Sequence, residues 1–142
     1  MIATSDIDST IKRLKRSKKI TVEIIPDILQ LHYSLMKLFE EKTNKEKRSL
    51  ASKYLHFHLP NLFFIYDSRV ASVITKFSGR LPKNTQIPEN VDITYAKFFY
   101  KAYEIYKNLP NDKEYSDSRP RVIDNILLRY CDENNIESQV ED

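Results

Sequence analysis

The sequence predicts an all-α fold, and three observations carry that prediction. Gly79 is the only glycine in 142 residues. Tight hairpins and phosphate-cradling loops draw on glycine at positive φ, so an all-β fold and a P-loop are both disfavoured. Apolar residues recur at i, i+3 and i+4 along several segments, the spacing of one helix face, whereas strand-like alternation is confined to Thr21–Ile25. The length fits a single domain, residues 1–142, able to bury about two-thirds of its unfolded surface.

Each element follows from local signals, giving a compact array of about five or six helices. Ser5 to Ser17 carries Ile7, Ile11 and Leu14 at helical spacing among basic residues, and its start is expected to fray. Thr21–Ile25 reads as extended. Pro26 then opens a helix, where its missing N–H costs nothing, and Ile28, Leu29, His32, Leu35, Met36 and Phe39 form its apolar stripe. His32 on that stripe reads as a satisfied core histidine. Glu40 to Arg48 is polar and expected to be a loop. Leu50 to His58 resumes the helix and stops before Pro60. Asn61 to Tyr66 is short, apolar and aromatic, hence extended. Asp67 or Ser68 caps a helix bearing Val70, Val73, Ile74 and Phe77, closed by Gly79. Arg80 to Asn90, with two prolines, is a loop. Val91 to Asn108 is a long helix with Tyr95, Phe99, Ala102 and Tyr106 on one face, read as core or dimer interface. After a polar connection, Ser118 and Pro120 start a last helix that buries Ile123, Ile126, Leu127 and Tyr130. The acidic tail 132–142 is expected to be disordered.

Lysine and arginine total 23 against 20 acidic residues, a net charge of only +3. The distribution says more than the sum. Lys12, Arg13, Lys15, Arg16, Lys18 and Lys19 crowd one stretch, and Lys42, Lys45, Lys47, Arg48 and Lys53 another. Such asymmetry suits a phosphate-facing surface, although a solvated lysine-rich helix end gives the same pattern. Cys131 is the only cysteine, which excludes an intrachain disulfide and a four-cysteine cluster. No apolar run approaches the ~18 residues of a membrane span and no signal-peptide core is present, so an intracellular, cytoplasmic, soluble protein is expected.

The chemistry concentrates between Leu50 and Phe77. Lys53 stands in an apolar helical run whose Leu50, Tyr54 and Phe57 are expected to face the core, and Asp67 follows fourteen residues later at the mouth of the next helix. An amine beside an apolar stripe is desolvated and freed for nucleophilic attack, and a carboxylate at a helix start is kept ionised. Together they can form a Schiff base on a sugar carbon. Each also has an ordinary explanation: a snorkelling lysine and a helix N-cap. His56, Phe57, His58, Phe63, Phe64 and Tyr66 form an aromatic cluster that could stack on a flipped base or simply pack the core. His56 and His58 are two apart and diverge on a helix, so no metal site is expected. Arg119, Arg121 and Asp124 read as a structural ion pair.

The segments Ala51-Ser52-Lys53-Tyr54 and Phe64-Ile65-Tyr66-Asp67-Ser68-Arg69-Val70-Ala71 resemble the core of the helix–hairpin–helix DNA glycosylases, most closely the archaeal-type 8-oxoguanine glycosylases and small stand-alone proteins of that fold. The resemblance covers about thirty residues, with motifs of moderate specificity. It implies a helix–hairpin–helix glycosylase-like fold, Lys53 as the Schiff-base nucleophile, Asp67 as its partner, and Ser68 and Arg69 near the DNA backbone. It implies no metal or organic cofactor. The glycine-rich hairpin of most members is absent; Lys45 to Arg48 stands in its place, as the archaeal-type branch also departs there. Three readings follow. The first is a DNA glycosylase and abasic lyase using Lys53 and Asp67, with Lys45, Lys47, Arg48, Ser68, Arg69, His56 and Phe64 against the nucleic acid. The second is a non-catalytic nucleic-acid-binding module in a repair or antiviral defence complex, using the clusters Lys12–Lys19 and Lys42–Arg48. The third is a helical domain that engages a protein partner or a second copy of itself.

Overall fold

The computed structural model describes residues 4–43, 47–110 and 118–137. Among these the chain is all-helical, with seven α-helices and no strand. Helix α1 (Thr4–Leu14) turns Ile7, Ile11 and Leu14 inward, the row its spacing predicts. Val22–Ile24 winds into a 3₁₀ turn instead of the extended segment expected. Ile20 and Ile25 are both buried. An extended chain would set residues five apart on opposite faces, whereas a turn brings both to the core.

Helix α2 (Ile25–Thr43) buries Ile28, Leu29, His32, Leu35 and Met36, and continues past Glu40 where a loop was expected. Its last turn is polar, but Glu and Lys are good helix formers and a solvated final turn needs no partner. Helix α3 (Arg48–His58) starts two residues before the predicted Leu50. The helix expected from Asp67 to Gly79 is divided at Ile74 into α4 (Ser68–Val73) and α5 (Thr75–Ser78), where the consecutive β-branched Val73, Ile74 and Thr75 crowd the helical backbone. Gly79, at φ 77°, ends α5 and turns the chain back over the next helix. Phe77, expected in the core, is exposed.

Helix α6 (Ile93–Asn108) is capped by Asp92 and buries Tyr95, Phe99, Ala102 and Tyr106, as its stripe predicts. Helix α7 (Arg119–Glu133) is capped by Ser118, whose hydroxyl accepts from the Arg121 N–H. It buries Ile123 and Leu127, but Ile126 is exposed and Cys131 fills the next inward position. Asp132 and Glu133 belong to its last turn and not to a disordered tail, whereas residues 138–142 lie outside the described residues. Helix α1 packs on α2, α2 on α3, α4 on α7, and α6 on both α5 and α7, around a core that includes Tyr95, Phe63 and Phe99. No helix among the described residues is long and apolar enough to cross a membrane.

One buried polar network joins α2, α3 and α6. Arg48 donates to Asp92 from Nε at 2.6 Å and from Nη2 at 3.1 Å, and Asp92 also accepts from the Tyr95 N–H. His32 stacks on Tyr95 at 3.8 Å and donates from Nε2 to the Arg48 carbonyl at 3.1 Å. Its Nδ1 is buried with no hydrogen-bond partner among the described residues, so His32 is a core histidine only half satisfied there.

Candidate functional site

Helix α3 presents a different face to the core from the one its apolar residues suggest. Arg48, Ala51, Ser52 and Leu55 are buried, whereas Leu50, Tyr54 and Phe57 are exposed, Phe57 to 80%. The small Ala51 and Ser52 let α3 pack closely on its neighbours, and Arg48 is drawn inward by Asp92. Lys53 consequently points to water, and the desolvating surroundings expected for its amine are absent.

The chain between Lys53 and Asp67 is held tightly. Ser52 Oγ accepts from the Tyr66 N–H at 2.8 Å while donating to the Ser49 carbonyl at 2.8 Å. His56 Nδ1–H donates to the Phe63 carbonyl at 2.7 Å, and the Tyr95 hydroxyl donates to the Phe64 carbonyl at 2.7 Å. The residue before Lys53 is thus bonded directly to the residue before Asp67. Asp67 is the N-cap of α4: its Oδ1 accepts from the N–H groups of Arg69 at 2.8 Å and Val70 at 3.4 Å. Asp67 is only partly buried, and among the described residues its Oδ2 makes no hydrogen bond.

Both side chains act on a third, Asp124 of α7. Asp124 is 6% exposed, with Arg121 Nη1 at 3.1 Å from its Oδ2. Burial raises its carboxyl to about 6, opposed by the charges of Arg121, Lys53 and Arg69 and reinforced by that of Asp67. Arg121 and Asp124 of α7 form the one direct ion pair here, and the charges of Lys53, Asp67 and Arg69 are felt at Asp124 without contact. Helix packing of α4 on α7 underlies this coupling. Asp124 has the strongest chemical signature of the group, and the sequence alone read it as a purely structural ion-pair partner. The signal for it was Ser118-Arg119-Pro120-Arg121 followed by Asp124, but the approach of Asp67 depends on contacts distant in sequence. Arg119, grouped with it, instead donates to the carbonyls of Tyr106 and Leu109 at 2.7 and 2.8 Å.

The other candidate residues separate. Arg69 lies beside Asp67 at 3.5 Å and pairs with Asp132 at 3.3 Å, while its Nε is buried without a hydrogen bond. Ser68 is the first residue of α4. His56 is half-buried, and burial pulls it below its usual value, against the Phe63 carbonyl and together with Arg121. Phe64 is a core residue, edge-on to Phe99 at 4.8 Å, so its ring has no face free for a base. Arg48 is equally committed to Asp92 inside the fold and is not a surface cation. Lys47 precedes α3 and is partly exposed; Lys45 lies outside the described residues. The cations of Lys12–Lys19 are exposed on α1 and the turn after it, with Arg13 paired to Asp27 at 3.2 Å. Comparison with protein families, characterised proteins and solved structures finds no match to this chain.

Proposed function

We propose that the protein recognises a nucleotide in DNA and acts at C1′ of its deoxyribose, as a base glycosylase and abasic lyase. Lys53 is the amine nucleophile. Its attack on C1′ displaces the base, which leaves with a proton. Ring opening gives an imine between C1′ and Lys53 Nζ, and loss of a C2′ proton then expels the 3′ phosphate. Asp67, through its free Oδ2, stabilises positive charge developing on the sugar. Asp124, a buried carboxyl raised to about 6, is electrostatically coupled to both and tunes the field they share. The observation that carries this reading is the direct bond between Ser52 and Tyr66, immediately before Lys53 and Asp67, with both charges felt at Asp124. No step needs a metal or an organic cofactor.

Borohydride trapping on duplexes containing an abasic site or 8-oxoguanine tests it. The expected result is a covalent protein–DNA adduct that disappears in Lys53→Gln; no adduct with either duplex removes the catalytic reading. A second reading, a non-catalytic nucleic-acid-binding module, is favoured by one observation: the ammonium of Lys53 is in water. It requires binding to undamaged DNA that weakens steeply with salt and is indifferent to Lys53→Gln.

A further inference from the structure

Outside this site, the loop after α5 and helix α6 border an open surface pocket of about 530 Å³. Arg80 and Lys83 enter it from the loop, and Lys97 and Lys101 from α6. Thr75 and Thr85 add hydroxyl groups, and Leu81, Pro82 and Ile87 form apolar wall. No carboxylate lines it, and none of the four cations is ion-paired among the described residues. In a chain of net charge +3 this is a marked local excess. Lys97 and Lys101 stand at i and i+4 on one helix, where like charges oppose folding.

We propose that this pocket binds a compact polyphosphate. The chemistry fits a chain of three phosphates, whose charge the four side chains match and whose oxygens the lysines, the arginine and Thr75 can donate to; the Thr85 hydroxyl already donates to the Pro82 carbonyl at 2.7 Å. The four cations are grouped around one short concavity, whereas a duplex backbone is tracked by an extended stripe of cations. The phosphate chain can arrive bare or on a nucleoside. A second pocket of about 550 Å³, with Tyr100 and Tyr103 among its walls, shares Leu81, Pro82, Thr85 and Ile87 with the first.

Isothermal titration of the full chain with inorganic triphosphate, with ATP and with a single-stranded oligonucleotide tests the proposal at fixed low salt. Triphosphate is expected to bind at one equivalent. Lys97→Gln/Lys101→Gln should weaken it at least about tenfold, and Lys83→Gln less. Lys12→Gln/Lys15→Gln, which removes two exposed cations elsewhere, should leave it unchanged. Equal affinity for ATP and triphosphate identifies the bare phosphate chain as the ligand; tighter ATP identifies a nucleotide with its base in the adjoining pocket. Absence of triphosphate binding, binding only of the oligonucleotide, or equal weakening in both lysine pairs overturns it. Lys53→Gln does not enter, so failure here and failure of the lyase reading are separable.

Discussion

Two buried charge sites differ in how completely their charges are matched. At the start of α3, Arg48 meets Asp92 through two hydrogen bonds, and Asp92 is further bonded to the Tyr95 N–H. On α7 stands Asp124, more deeply buried and, among the described residues, paired with Arg121 alone, whose side chain is 45% exposed. Burial acts to raise both carboxyls. At Asp92 the Arg48 and Tyr95 donors outweigh it and pull the group below its usual value; at Asp124 burial wins and lifts it to about 6. A matched pair fixes how helices sit. A half-matched carboxyl retains a response to whatever charge approaches it.

The largest effect should come from breaking the matched pair. Arg48→Met strands Asp92 inside the fold and is expected to cost about 3–5 kcal/mol in urea unfolding, with an unchanged m-value. A loss below about 1 kcal/mol would show that Asp92 finds water or another partner, and would erase the contrast between the two sites.

The pH dependence sharpens the same contrast, because the two regions act with opposite signs. Asp124 is raised from 3.8 to about 6, so its contribution is fully present below pH 3.8 and is lost as pH rises through 6. His32, beside the matched pair, is lowered from 6.5 to about 4, chiefly by burial. Its contribution is fully present above pH 6.5 and is lost as pH falls through 4. Each amounts to roughly 3 kcal/mol and the two oppose each other across the same window. Relative to wild type, Asp124→Asn should therefore gain stability as pH rises from 4 to 6.5, and His32→Phe should lose it. Urea midpoints at three pH values read the sign directly. Parallel curves for both variants would rule out the opposed titrations.

Smaller is the cost of loosening the link between Lys53 and Asp67. Ser52→Ala leaves the Tyr66 N–H buried without its acceptor, expected to cost about 1–3 kcal/mol in thermal unfolding. If the proposed chemistry depends on that register, borohydride trapping should slow in this variant although both reacting side chains remain. Trapping at the wild-type rate would mean that the hydrogen bond serves the fold alone.

What could be read from the sequence follows from how one-sided each element is. Helix α2 carries apolar residues on a single stripe, and that stripe is the buried one. Asp67 could be read as a cap because capping is local, whereas the run before it, read as extended from Asn61, opens with Asn61 and Leu62 in a turn closed by the Leu62 N–H on the Leu59 carbonyl. Asp124 and Arg121 are three residues apart and look like any surface pair on a helix; only the packing of α4 on α7 buries the carboxyl. The basic pocket was hidden for a similar reason, since Arg80 and Lys83 reach Lys97 and Lys101 through the fold and form no run in the chain.

Helix α3 defeated periodicity because both its faces carry apolar residues and the buried one also carries Arg48 and Ser52. Counting apolar positions favours Leu50, Tyr54 and Phe57; the ion pair with Asp92 and the bond to Tyr66 favour the opposite face, and they prevail. The smallest predicted effect tests that rotation. Phe57→Ser should change unfolding free energy by less than about 0.5 kcal/mol, because an 80% exposed ring gives up almost no buried area. A loss of about 3 kcal/mol, typical for truncating a core phenylalanine, would put Phe57 inside and rotate Lys53 off the exposed face it now occupies.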